Sequence, residues 1–142
     1  MKTKPNIDLG EVCVGLETTD VTHRWYLDAE TGEAILVNAS YEPADYAGRT
    51  AQEIETRADR YRRFPKSDEG ALLDDMIAFM QATSERQLRE SLEIALAGQR
   101  PERRFKAVLG WLPEENDRWK AFRQERLESR ARAFLKAMGF SP

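Results

Sequence analysis

The sequence predicts an α+β fold in which a small antiparallel sheet is covered by about five helices. Two β-rich runs, separated by the turn-forming segment 28–33, predict a hairpin with strands near 23–28 and 33–38. From residue 67 onward apolar residues recur at helical spacing, and proline and glycine mark the helix boundaries. A small sheet needs cover for its apolar face, and we expect the helices to supply it.

Length and composition predict one domain. The chain has 142 residues, of which 41% are hydrophobic, which suits a single core. Because no stretch resembles a linker and no repeat occurs, we predict a single domain over 1–142, with a helix-and-hairpin part at 1–66 and a helical part at 67–142. The longest aliphatic runs are too short for a signal peptide or a membrane span. A soluble cytoplasmic protein with no membrane association is therefore expected.

The first part of the chain begins with a short predicted helix, whose apolar face is formed by Leu9, Val12, Cys13 and Leu16. Asp8 and Glu11 resemble a capping box, with Asp in place of the usual Ser or Thr. In the hairpin, Asp28 opens the turn and Gly32 closes it in the left-handed conformation. We interpret residues 39–57 mainly as loop, with a candidate turn of helix near 51–56, and residues 61–64 before a proline as a candidate third strand.

The helical part contains four predicted helices, the last of them long. Residues with known preferences for helix ends set the predicted boundaries: Ser67 or Asp68, Ser84 with Gln87 as a capping box, Gly98, Pro101, Pro113 and Gly139. The apolar positions predict a buried layer made of Phe105, Leu109, Trp119 and Phe134, packed against Leu88, Leu92, Met76 or Ile77.

Motifs along the chain resemble uncharacterised protein family 0158, a bacterial family. The segments that carry the similarity are Tyr26-Leu27-Asp28, Thr31-Gly32-Glu33, 60–65, 76–79, Arg103-Arg104-Phe105-Lys106, Trp119 with Phe122-Arg123, and Ala133-Phe134-Leu135 followed by Gly139. They lie in the family's order and span roughly residues 7–140, and the C-terminal ones are the most specific. The resemblance implies a small bacterial cytoplasmic protein with no established activity.

Residues suited to catalysis or metal binding are scarce. With one cysteine, Cys13, and one histidine, His23, a zinc site would need unusual carboxylate ligation. No glycine-rich phosphate loop occurs. Asp28, Glu30 and Glu33 crowd the hairpin loop and could touch a divalent ion, although turn formation already explains Asp28. We therefore expect no catalytic residue, no metal ion and no cofactor.

The charge is distributed unevenly along the chain. Residues 1–98 hold 11 basic and 19 acidic side chains, whereas residues 99–142 hold 11 basic and 6 acidic ones. This asymmetry indicates either an electrostatic fit within the protein or a basic, partner-facing surface near the C-terminus. The net charge of −3 argues against a globally basic nucleic-acid binder.

The candidate ligand-binding residues lie in the last two predicted helices. On a helical wheel, the arginines at 123, 126 and 130 fall within about 60° of one another, along the edge of the apolar face. Guanidinium groups hold carboxylates or phosphates through two hydrogen bonds and stack on aromatic rings. The candidates are Arg123, Arg126, Arg130, Trp119, Arg103, Arg104 and Lys106. The interpretation placed first for the last-helix arginines is that they pair with acidic residues of 1–98, and the helical spacing of the aromatic residues more often means burial in the core.

The sequence favours a non-enzymatic binding or regulatory module that engages an anionic partner through its basic C-terminal helices. A protein partner is preferred over nucleic acid, which remains a second option, because nucleic acid would be repelled by the net charge of −8 on residues 1–98. The competing hypothesis is an enzyme that acts on a phosphorylated small molecule held by an arginine clamp. It ranks lower because no general base is evident. The oligomeric state is left open.

Overall fold

A computed structural model of the chain describes residues 7–18, 20–65 and 69–140. Its elements are α1 (Leu9–Glu17), β1 (Arg24–Asp28), β2 (Ala34–Val37), a 3₁₀ turn (Pro43–Tyr46), α2 (Ala51–Thr56), β3 (Tyr61–Arg63), α3 (Glu69–Ala82), α4 (Arg86–Ala97), α5 (Pro101–Gly110) and α6 (Pro113–Ala137). The predicted α+β class is confirmed, with six α-helices in these ranges where about five were expected. No helix among the described residues is both long and apolar enough to cross a membrane.

The described residues fall into two compact units. The first comprises 7–65 and 128–140, and the second comprises 69–127. The sheet belongs to the first unit, whereas α3, α4 and α5 belong to the second. Because the division falls within α6, this helix contributes its first half to the second unit and its last turns to the first.

The hairpin forms in the predicted place. β1 and β2 are antiparallel, with Tyr26 opposite Ile35, and the Gly32 amide donates a 2.7 Å hydrogen bond to the carbonyl of Asp28. Gly32 has a φ of 78°, the left-handed conformation that glycine adopts without steric cost. The third strand is confirmed too, and the sheet order is β2-β1-β3.

One face of the sheet is covered by residues 39–57, which contain more structure than the sequence predicted. The candidate turn of helix is α2, and its N-cap Thr50 accepts a hydrogen bond from the amide of Glu53. A 3₁₀ turn precedes it. Ile54 of α2 is fully buried with the sheet residues Tyr26, Ile35, Val37 and Tyr61.

The other face of the sheet carries Phe64, which packs against α1 and the end of α6. The ring centroids of Phe64 and Phe134 lie 4.8 Å apart, and a Cβ placed on Gly15 of α1 would lie 2.5 Å from the Phe64 ring. Gly15 is therefore required for close packing, although it weakens the helix. The predicted place of Phe134 is wrong: it is half-buried in the first unit rather than part of the helical core.

The second unit is organised around an aromatic core. Phe105 and Trp119 meet edge to face with centroids 4.8 Å apart, and Phe79 contacts both rings. The buried residues of this cluster are Met76, Phe79, Leu88, Leu92, Phe105, Leu109 and Trp119. Burial of Phe105, Leu109 and Trp119 against Met76, Leu88 and Leu92 confirms the predicted helical layer, and Pro101 and Pro113 open α5 and α6 as expected.

One predicted helix start is wrong. The N-cap of α4 is Glu85, whose carboxylate accepts hydrogen bonds from the amides of Gln87 and Leu88, at 3.0 and 2.7 Å. The longer Glu side chain reaches two amides at once, so the Ser84 capping box does not form. The predicted start of α3 at Ser67 or Asp68 lies outside the described residues.

Candidate functional site

The predicted arginine stripe on α6 is tied to the protein at its central residue. Arg126 Nε donates a 2.6 Å hydrogen bond to Asp75 Oδ1 on α3, and the Asp75 side chain is only 2% exposed. Its guanidinium also lies 5.8 Å from the Phe122 ring centroid. Arg126 thus neutralises a buried carboxylate within the second unit. This ion pair confirms the expectation that an arginine of the stripe pairs with an acidic residue of 1–98.

The other two arginines of the stripe are also engaged. Arg123 and Arg130 are half-buried, and neither is free of interactions. Arg118, one helical turn before the stripe, shows the same inward orientation: it donates to Thr83 Oγ1 at 3.1 Å and lies 4.3 Å from the Phe79 ring centroid. Arg118 and Arg126 therefore both contact α3 or the residue that follows it, within the second unit.

Trp119, the aromatic member of the predicted site, is 5% exposed. Its ring contacts Phe79 and Phe105 in the aromatic core. A side chain packed on several sides by other rings has no face left for a ligand, and we assign Trp119 to the core.

The three upstream candidates have a different environment. Arg103, Arg104 and Lys106 are exposed on α5, and none of them forms an ion pair with a described residue. α5 places them there because its other side is anchored by the fully buried Phe105 and Leu109. The Arg104 side chain folds across Gly98, where a Cβ would collide with its guanidinium.

The residues at the end of α5 complete an exposed mixed surface. Trp111 is 87% exposed and Leu112 is 39% exposed, which is unusual for side chains of this size. Neither was among the residues predicted to bind a ligand. Both residues lie between Gly110 and Pro113, where α5 ends and α6 begins, so they are not held on the buried face of either helix. This position is the sequence signal that could have identified them. We call Arg103, Arg104, Lys106, Trp111 and Leu112 the α5 surface.

A second polar cluster, which the sequence did not predict, surrounds Asp28 in the first unit. The Asp28 carboxylate is fully buried and accepts hydrogen bonds from Arg49 at 2.7 Å and from Arg60 at 3.2 and 3.1 Å. The amides of Glu30 and Thr31 also donate to it. Burial by itself raises the pKa of Asp28, but the hydrogen bonds from Arg60 and from the Glu30 amide outweigh burial and hold the pKa below its ordinary value.

The charges in this cluster are compensated internally. Arg49 also pairs with Glu33, and Arg60 pairs with Glu30 at 3.3 Å. Both guanidinium groups lie near the ring of Tyr61, at 5.9 and 5.1 Å from its centroid. Such a network holds the hairpin loop to α2 and β3, and it leaves no carboxylate set for a cation. Among the described residues, no group of three metal-ligating side chains comes together.

Comparison with known proteins identifies the family of the chain. The model of the family described as Uncharacterised protein family (UPF0158) matches residues 10–142, which is nearly the whole chain. No curated protein and no solved structure matches the chain. The motifs at 26–33, 60–65 and 103–139 that first indicated this family all lie within the matched range, and the chain belongs to the uncharacterised protein family UPF0158.

Proposed function

We propose that this chain is a non-enzymatic binding module of the bacterial cytoplasm, and that it engages an anionic protein partner through the α5 surface. The observation that carries the proposal is a contrast between two sets of basic residues. Arg126 on α6 is committed to a buried carboxylate, whereas Arg103 and Lys106 on α5 are exposed and unpaired among the described residues.

The composition of the α5 surface supports a role in protein binding. Arginine and tryptophan are enriched among the residues that contribute most to protein interfaces. A rim of charged residues beside an exposed aromatic ring is typical of such interfaces, because the ring supplies apolar area and the charges orient the partner. Trp111 and Leu112 supply the apolar area, and Arg103, Arg104 and Lys106 supply the charge.

A protein partner is favoured over nucleic acid by the charge of the chain. The net charge is −3, so a long polyanion would meet repulsion from the rest of the surface. A short acidic protein segment would touch only the α5 surface. Sequence-independent nucleic-acid binding requires several phosphate contacts, and its affinity falls steeply with salt.

The proposal is tested by fluorescence polarisation with three labelled probes: a ten-residue polyglutamate peptide, a single-stranded oligouridylate and a short DNA duplex. We expect the peptide to bind the wild type most tightly, and the double variant Arg103→Glu, Lys106→Glu to bind it at least tenfold more weakly. The matched control is Arg62→Glu with Lys136→Glu, two exposed residues of the first unit whose reversal changes the net charge equally.

Two outcomes would overturn the proposal. Equal loss of peptide binding in the α5 variant and the control variant would show that net charge, rather than the α5 surface, attracts the peptide. Tighter binding of either nucleic acid than of the peptide would replace the protein partner with a nucleic-acid partner.

A further inference from the structure

The exposed face of α5 has a defined order of chemical groups along its length. Arg103, Ala107 and Gly110 fall within about 60° of one another on the helical wheel, on the side opposite the buried Phe105. Trp111 continues the helical conformation, with φ of −92° and ψ of −1°. Along the axis this face therefore begins with cations, continues through the small side chain of Ala107 and ends with Gly110 directly beside the large apolar ring of Trp111.

Glycine at the end of this face is not required by packing within the protein. A Cβ on Gly110 would meet no atom within 4 Å, and Gly110 is not among the glycines with positive φ. Neither a close packing contact nor a left-handed backbone within the protein thus requires glycine at this last residue of α5. An absent side chain at an exposed position lets another backbone approach closely.

The backbone of α5 restricts what can bind to this face. The N–H groups of Ala107 and Gly110 bond to carbonyls one turn earlier in the helix, so the face offers no continuous row of backbone groups to pair with an extended strand. A helix satisfies its own backbone hydrogen bonds and needs only side-chain contacts. Helices also pack more closely where the side chains at their contact are small.

We infer that the α5 surface receives an acidic amphipathic helix of a protein partner, with Gly110 at the point of closest approach. This inference rests on the proposed function and specifies its partner. Arg103 and Trp111 are separated by about 12 Å along the helix axis, since each residue adds about 1.5 Å. The partner helix therefore carries glutamate or aspartate near one end of its binding face and a large apolar residue seven or eight positions away on that same face.

The test compares two labelled, helix-stabilised peptides of identical composition. In the matched peptide, two glutamates and a leucine lie on one face, with the leucine seven residues beyond the second glutamate. In the mismatched peptide, the leucine is moved by two positions, which turns it by about 200° away from the glutamates. We expect the wild type to bind the matched peptide at least tenfold more tightly.

Two variants test whether the difference in affinity between the matched and the mismatched peptide depends on the α5 surface. Trp111→Ala removes the apolar contact, and Gly110→Leu fills the space beside Trp111 without changing any charge. Both are expected to bring the ratio of the two affinities to about one, while weak, salt-sensitive binding of both peptides remains. Circular dichroism and thermal melting establish that each variant is folded, and Gly110→Ala, with a much smaller side chain, is expected to retain most of the discrimination.

Equal binding of the two peptides by the wild type would overturn the inference, and so would discrimination that persists in folded Trp111→Ala and Gly110→Leu. In either case the proposed function would survive if Arg103→Glu with Lys106→Glu still weakened both peptides by tenfold or more. Absence of binding by both peptides and by polyglutamate would remove the inference and the proposed function together.

Discussion

Arg126 on α6 is bound to Asp75 on α3 through a 2.6 Å hydrogen bond, and Asp75 is almost completely removed from solvent. Arg126→Ala would remove this hydrogen bond and ion pair from a buried carboxylate. Because Arg126 is itself 40% exposed, water can enter and replace part of the lost contact. We expect the free energy of unfolding to fall by about 1–3 kcal/mol, measured by urea denaturation.

The comparison variant for this ion pair is Arg132→Ala. Arg132 is exposed, and its contact with Glu128 on the same helix is 3.9 Å long. Its loss is expected to change stability by less than about 0.5 kcal/mol. Equal stability of the Arg126→Ala and Arg132→Ala variants would contradict a structural role for Arg126 and would return it to the candidate binding residues.

Phe105 tests the division of α5 into a buried and an exposed side. It is fully buried between the rings of Phe79 and Trp119. Phe105→Ala is expected to lower the free energy of unfolding by about 3–5 kcal/mol, through lost burial and the cavity left behind. Trp111→Ala, at the end of the same helix, is expected to change it by less than about 0.5 kcal/mol. A large loss in the Trp111 variant would mean that this ring stabilises the fold instead of remaining available to a partner.

Substitution of Gly15 tests how closely α1 packs against the sheet. A methyl group at this position would lie 2.5 Å from the Phe64 ring and 3.2 Å from the Trp25 ring. We expect Gly15→Ala to lower the free energy of unfolding by about 1–3 kcal/mol, even though alanine favours the helix. Combining it with Phe64→Leu, which makes room for the methyl group, is expected to recover part of the loss. If Gly15→Ala proves as stable as the wild type, this contact does not limit the packing.

The environment of Asp28 predicts how the free energy of unfolding depends on pH. Its pKa in the folded protein lies below the ordinary value, so the unfolded chain binds its proton first as the pH falls. The stabilisation from Asp28 is complete above about pH 5, and it is lost progressively as the pH falls through the unfolded-state pKa near 4 toward the lower pKa of the folded state. Asp28→Asn is expected to be less stable at neutral pH and to lose less stability between about pH 5 and pH 3.

The control for this pH dependence is Asp59→Asn, the same chemical change at an exposed position of the first unit. Its stability is expected to follow the wild-type pH profile. If Asp28→Asn does not fold, Arg60→Gln provides the comparison, because it removes one of the two guanidinium partners. An unchanged acid profile in both the Asp28 and the Arg60 variants would show that this network does not control acid unfolding.

Local chemistry explains which parts of the fold could be predicted from the sequence. The hairpin turn depends on Asp28 and Gly32 themselves, and the starts of α5 and α6 depend on Pro101 and Pro113. Each of these signals acts within a few residues. The structure confirms the turn and both helix starts.

Contacts between distant residues explain what the sequence did not show. Asp28 meets Arg49 and Arg60, which are 21 and 32 positions further along the chain, and no periodic pattern connects them. The helical wheel of α6 placed Arg126 beside the apolar face but could not show that Asp75 would meet it there. The exposure of Trp111 likewise depends on where the chain turns between two helices.

The central claim is that an anionic partner binds the α5 surface rather than the arginines of α6. It is tested most directly by adding the polyglutamate peptide to ¹⁵N-labelled protein and following its amide and indole NMR signals. The three tryptophans give three indole signals, from Trp25, Trp111 and Trp119. We predict that the peptide shifts the Trp111 indole and the amides of residues 103–112 and leaves Trp119 unchanged. Shifts centred on residues 123–130, or an unmoved Trp111 signal at saturating peptide, would contradict the claim.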